Sequence, residues 1–210
     1  MQNKSQKSFK HLFSEDKNSQ KITSLAKKSI AIIFLLFLLL FQRYTPYGNS
    51  QNYDPSLLHS LFNLYFFIFY QTFGIVHEGG HGVCYILSCP QFFTALNGTI
   101  FQIGFPLGIA YYYKKALNPM LMWIGIFFTG LTTHYTSWYI STAHMSKIVP
   151  ASQSFLGVDG FHDFNYLLDT LGILAYDGIL STIVKIIAYG LMSLAVWKML
   201  GLAFSNENNN

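Results

Sequence analysis

"LLHSLFNLYFFIFYQTFGIVHEGGHGVCYIL", Leu57 to Leu87, decides how this chain is read. It is apolar over a length that can cross a bilayer, which takes roughly 17–25 residues. A polar, turn-rich stretch (Gln42 to Ser56) precedes it, and Cys89-Pro90 breaks it. Its second half carries His77, Glu78 and His81. The chain has three glutamates, Glu15, Glu78 and Glu207, so one of the three sits inside an apolar helix candidate. A carboxylate at membrane depth is expensive and marks a functional site by default.

The rest of the composition agrees with a membrane class. Of 210 residues, 51% are hydrophobic and 10% charged, where a soluble domain carries about 25% charged residues. Residues 1–28 hold seven lysines against Glu15 and Asp16. The basic excess is therefore a terminal segment, read as a solvated tail that sets orientation and can also meet anionic headgroups. Only Phe9 and Phe13 fall among those lysines, too little for the aromatic interleaving that nucleic-acid binding would want, so nucleic acid is not an expected partner. Cys84 and Cys89, five apart, would point to different faces of a helix. They read as packing cysteines, not as a disulfide or a zinc knuckle.

Four further apolar stretches flank the central one. "SIAIIFLLFLLLFQRY" (Ser29 to Tyr44) reaches crossing length if Lys28 and Arg43 snorkel, and it lacks a signal-peptide cleavage site. "FFTALNGTIFQIGFPLGIAYYY" (Phe92 to Tyr113) is interrupted by Asn97, Gly98, Gln102, Gly104, Pro106 and Gly108. It reads as a broken helix or a hairpin that dips into the bilayer, and irregular backbone there must be covered or line a wet cavity. Asn118 to Ile140 is a clear span opened by Asn118-Pro119. Ser141 to Gly172 is a polar connection ending in an amphipathic helix start, and Ile179 to Phe204 is the last span.

His77 and His81 stand at i and i+4. On a helix these stack on one face about 6 Å apart, so both imidazoles can reach one metal. Glu78 is placed to act on a water at that metal. This is H-E-x-x-H, two zinc ligands and a general base. Gly79 and Gly80 each cost about 1 kcal/mol of helix stability against Ala. They allow close backbone packing or make room for a substrate strand.

A third ligand must return to this point. "VDGFHDFNYLL" (Val158 to Leu168) offers Asp159, His162 and Asp163. If Phe92–Tyr113 and Asn118–Ile140 both cross, this segment comes back to the side of His81, so both are counted as crossing. The N-terminal lysines put the first residues in the cytoplasm. The first span then exits and the second returns, which places His77 and His81 toward the cytoplasmic leaflet. Lys114 and Lys115 fall outside, against the positive-inside bias.

On the strength of "HEGGH" inside a membrane helix, followed by an Asp-bearing segment before a late span, the chain resembles the site-2-protease-like family of membrane zinc metallopeptidases. The resemblance covers Leu57 to Leu168 loosely. The family's downstream Asp-Gly motif implies Asp159 as third ligand, although the proline-containing run that precedes it is missing here. "GTIFQIGFPLGIAYYY" and "HDFNYLL" look like a small bacterial branch, in which the His-Asp-aromatic element implies Asp163. Asp163 is taken as the third ligand. The resemblance implies a zinc endopeptidase acting on a membrane-anchored protein.

A membrane di-iron oxygenase also uses H-x-x-x-H, but needs more histidine boxes than seven histidines, one of them in the tail, can supply. A non-catalytic membrane protein with a structural or vestigial metal site is the remaining rival, and such a site has no need of Glu78. His134, inside a span, is expected to be a hydrogen-bonded core histidine. The expectation is an all-α integral membrane protein of about five transmembrane helices with H-E-x-x-H in the second. It comprises a basic cytoplasmic tail (1–28), a membrane-embedded unit (29–204) and a disordered end (205–210). It would sit in a bacterial cell membrane with Zn2+ on His77, His81 and Asp163 and with Glu78 catalytic.

Overall fold

The computed structural model describes residues 2–44, 56–149 and 160–205, with side chains described from residue 23 onward. The chain is all-α apart from one small sheet. The order is α1 (Gln2–Tyr44), α2 (Leu57–Ile86), α3 (Gln91–Lys115), α4 (Pro119–Ser141), β1 (Ile148–Val149), β2 (Gly160–Phe161), α5 (Asp163–Thr170) and α6 (Asp177–Phe204). Residues 45–55 and 206–210, expected as a loop and as a disordered end, lie outside the described residues, and so does Asp159.

Among the described residues, three helical stretches are long and apolar enough to cross a membrane: Thr23–Tyr44, Gln91–Lys115 and Leu174–Phe204. The sequence reading expected five. α2 and α4 have the length, 30 and 23 residues, but polar side chains dilute both. In α2 they are His77, Glu78 and His81; in α4 they are a run of Thr, Ser and His134. The α4 hydroxyls are satisfied within their own helix, for example Thr133 Oγ1 donating to the Thr129 carbonyl at 2.7 Å and Thr136 Oγ1 to the Thr132 carbonyl at 3.1 Å.

Local signals explain the helix starts. Asn118 caps α4 by accepting from the Leu121 N–H, with Pro119 at the first helical position. Ser56 caps α2 by accepting from the His59 N–H. α3 is one continuous helix, neither broken nor a re-entrant hairpin. Three of the residues that interrupt its apolar run are contacts: Asn97, Gly98 and Gln102 meet α2, while Gly104 and Gly108 face open space. The basic N-terminal segment is likewise helical and continuous with the first span.

α4 and α6 form an antiparallel spine. Gly130 lies against Ala188 and Met192, where a Cβ would come within 2.6 Å of Met192 Cγ. Four residues on, the His134 ring packs edge-on to Tyr189 at 5.2 Å. Close approach through small residues is how membrane helices gain dispersion contact. α1 runs beside α4 in the same direction: Phe34 meets Phe127 at 4.7 Å and Phe41 meets His134 at 4.9 Å. His134 is thus a buried core histidine among aromatic rings.

This packing gives the bundle two distinct ends. Lys28 Nζ sits 5.4 Å over the ring of Phe204, the last residue of α6. At the other end of α6, Asp177 bonds His144, just beyond α4. The histidines of α2 lie at that second end, as the contacts below show. The lysine-bearing end of α1 and the H-E-x-x-H motif are therefore at opposite ends of the bundle, because the aromatic face of α1 packs along α4 and runs counter to α6.

Two more elements differ from expectation. Cys84 and Cys89 form a disulfide. α2 stops at Ile86, and Ser88 at φ 53° folds the chain back so that the Cys89 N–H bonds the Cys84 carbonyl at 2.9 Å. The cysteines never share a helix. The polar connection after α4 contains β1 and β2, paired antiparallel with Ile148 opposite Phe161. These two-residue strands carry no period-2 pattern long enough to notice. α5 is seated by Phe164, Leu167 and Leu168, which pack with Ala95 and Ile140. Burying each such side chain contributes roughly 1.5–3 kcal/mol.

Candidate metal centre

His77 and His81 sit one turn apart on α2, with ring centroids 4.7 Å apart. Asp163, the first residue of α5, reaches both: its Oδ2 is 3.0 Å from His77 Nε2 and 3.3 Å from His81 Nε2. Donor atoms of these three residues lie within 4.8 Å of one another, a group that could hold a metal ion.

The partners of the other ring nitrogens decide what the cluster can do. His81 Nδ1 lies 2.7 Å from the Thr94 carbonyl oxygen, which can only accept, so Nδ1 carries a proton and donates it. His77 Nδ1 likewise faces Gln102 Oε1 at 3.1 Å. With Nδ1–H used in each ring, Nε2 is the nitrogen that faces Asp163. Burial alone would raise the Asp163 carboxyl, but the two imidazoles beside it hold it below the ordinary carboxylate range, so it is ionised. Two ring nitrogens and a carboxylate oxygen that converge on one point, with each Nδ1 held by an outer acceptor, make an arrangement that can hold a cation.

The spacing fits. A tetrahedral ion with bonds of about 2.0–2.1 Å has ligand-to-ligand edges of about 3.3–3.4 Å, close to the 3.0 and 3.3 Å found here. Gly98 keeps the space open. A Cβ there would lie 2.6 Å from His81 Nε2 and 2.7 Å from His77 Nε2. Gly80 does the matching work on α2, where a Cβ would come within 2.5 Å of the Asn97 carbonyl oxygen. The Asn97 amide donates to the Gly80 carbonyl at 2.6 Å and locks the two helices together. Gly79 faces open space.

Asp163 is aimed by its neighbours. Its N–H donates to the Tyr139 hydroxyl at 3.1 Å. His162, considered above as a ligand, instead caps α5: its Nδ1 accepts from the Asn165 N–H at 3.3 Å, and its Nε2 is 3.1 Å from Thr142 Oγ1. Its ring stacks on Tyr139 at 4.3 Å. Burial pushes its pKa down to about 4, so it is neutral near pH 7.

Glu78 lines the same cavity, of about 410 Å³, together with His77, His81 and Asp163. Phe69, Phe73, Tyr70 and Tyr135 form one wall, and Val149, Phe161 and Lys147 lie on another. The structure therefore brings together all four residues singled out in the sequence. The sequence reading missed Thr94, Gln102, Gly98 and Tyr139. Gln102 and Gly98 were visible as interruptions of an apolar run, but Thr94 acts through its backbone and leaves no trace in residue type. No family model, curated protein or solved structure matches the chain. The resemblance to site-2 proteases thus stands on the motif and its setting.

Proposed function

We propose that this chain is a membrane zinc endopeptidase that hydrolyses a peptide bond of a membrane-anchored protein. The observation that carries the reading is the meeting of His77 Nε2, His81 Nε2 and Asp163 Oδ2 beside Glu78 in one cavity. Bound zinc supplies a Lewis acid that lowers the pKa of a water toward 7. Glu78 takes the proton from the attacking water as its oxygen bonds the substrate carbonyl carbon. It then hands the proton to the amine nitrogen as the C–N bond breaks. Gln102 and the Thr94 carbonyl hold the imidazoles so that Nε2, not Nδ1, faces the centre. The aromatic wall of the cavity accepts apolar side chains of a locally unwound substrate segment.

In this reading α4 crosses the membrane along with the three apolar helices. What supports it is the return of Asp163 to the level of His81 after α3 has left that level and α4 has come back. The lysine-rich N-terminus lies in the cytoplasm of a bacterial cell.

Elemental analysis of the detergent-purified protein tests the centre. Wild type, Glu78→Gln and Asp159→Ala should each carry about one zinc, while His77→Ala and Asp163→Ala carry none. Glu78→Gln should retain zinc and lose hydrolysis of membrane-anchored substrates. A folded wild type without zinc sinks the peptidase reading and leaves a non-catalytic membrane protein.

A further inference from the structure

We propose that Tyr139 is a further catalytic residue of the His77–His81–Asp163 centre: its hydroxyl donates a hydrogen bond to the substrate carbonyl oxygen as that oxygen becomes negative. This role rests on the peptidase reading and adds a group that Glu78 does not supply.

Attack of water on a peptide carbonyl makes two demands. A base must take the proton, and the carbonyl oxygen must be stabilised as the π electrons move onto it. Glu78 meets the first. As a base it accepts hydrogen bonds, so a donor for the oxygen must come from elsewhere in the cavity.

Several polar side chains that face the cavity are already committed. The Asn165 amide donates to the Ala143 carbonyl at 2.7 Å. His162 caps α5 and meets Thr142. Tyr70 stands seven residues before His77, about 10 Å along α2 at 1.5 Å per residue, and its hydroxyl pairs with that of Tyr135.

Tyr139 differs from these. Its hydroxyl accepts the Asp163 N–H at 3.1 Å. A phenol can donate its own proton while it accepts, and among the described residues none takes that proton. One residue separates the hydroxyl from the centre, because the same Asp163 sets its Oδ2 3.0 Å from His77 Nε2. Tyr139 lines the cavity together with Glu78, within reach of its charge.

The ring is held on several sides. It stacks on His162 at 4.3 Å and lies edge-on to Phe164 at 5.5 Å and to His77 at 6.2 Å. A donor fixed before the reaction costs no reorganisation when the charge develops. As the water oxygen bonds the carbonyl carbon, the C=O π pair moves onto oxygen and meets the Tyr139 O–H. The phenol keeps its proton. When the C–N bond breaks, the pair returns to C=O and Glu78 delivers its proton to the nitrogen.

The test starts from the membrane proteins of cells that express the full chain. New amino termini formed with wild type but not with Glu78→Gln, read by mass spectrometry, identify a cleaved bond. A synthetic segment that carries this bond is then the assay substrate in detergent. Tyr139→Phe deletes the hydroxyl and keeps the ring. It should lower kcat about 10²–10³-fold, the usual effect of losing one such donor, with KM and zinc affinity unchanged. If the hydroxyl served only to aim Asp163, chelator competition would show weakened zinc binding, and excess zinc would restore the rate. A full rate in Tyr139→Phe, or a loss that excess zinc restores, overturns the proposal while the peptidase stands. Wild type without zinc, or without Glu78-dependent termini, sinks the peptidase reading itself.

Discussion

Asp163 Oδ2 lies 3.0 Å from His77 Nε2 across a chain separation of 86 residues. With the matching contact to His81, it joins α2 to α5, and two intervening helices make it possible. A ligand at the first turn of a short helix is only as well placed as the helix beneath it. Leu167 at 3% and Leu168 at 6% exposure hold α5 down. Leu167→Ala is expected to cost about 2–5 kcal/mol through its cavity. It should also weaken zinc retention while every ligand remains, as chelator competition on the purified variant would show. Undiminished retention in a destabilised variant would separate α5 packing from the centre.

Gly98→Ala adds a methyl group that would sit within 2.7 Å of both Nε2 atoms. It should abolish zinc binding. Gly79→Ala, with open space at its Cβ, should keep zinc and gain up to about 1 kcal/mol of helix stability. Zinc content and thermal unfolding of the two variants, measured side by side, check this. Equal zinc in both would show that Gly98 does not guard the centre.

Gln102→Leu removes the acceptor that fixes the His77 tautomer at 3.1 Å. Losing such an outer partner typically weakens metal affinity about 10–100-fold. The expected result is one zinc at saturation but a correspondingly weaker affinity, read by chelator titration. Unchanged affinity would mean that His77 is oriented by packing alone.

His162→Gln separates a cap from a ligand. The variant should keep about one zinc and lose about 1 kcal/mol, the usual cost of a damaged N-cap. It should also alter the response to pH. The folded His162 pKa, about 4, is below the unfolded value of about 6.5. Its pH-dependent contribution is thus complete above about 6.5 and lost as pH falls toward 4. Unfolding temperatures from pH 7.5 to 5, in zinc-free protein, should fall more steeply for wild type than for His162→Gln. Parallel slopes would place the titration elsewhere.

Much of the centre was legible in one dimension. Two histidines at i and i+4 share a helix face by geometry alone, and a glutamate in an apolar run announces itself by its cost. The choice among Asp159, His162 and Asp163 was not legible. It depends on where α5 begins, and His162 is spent on capping that helix. The interruptions in α3 read as breaks, because a sequence does not show that Asn97, Gly98 and Gln102 meet α2.

The sequence by itself determined an α-helical membrane protein, the paired histidines with Glu78, and the start of α4 at Asn118. Each depends on composition or on residues within one or two turns of each other. Only the tertiary structure decided the Cys84–Cys89 bridge, the seating of Asp163, and the end of the bundle on which the centre lies. The bridge needs a left-handed residue at Ser88 to reverse the chain. The seating needs α3, α4 and the second apolar cluster. The placement needs α1 to run along α4 through Phe34 and Phe41. Apolar faces and small-residue contacts between helices set these outcomes, and such contacts leave no spacing rule along the chain.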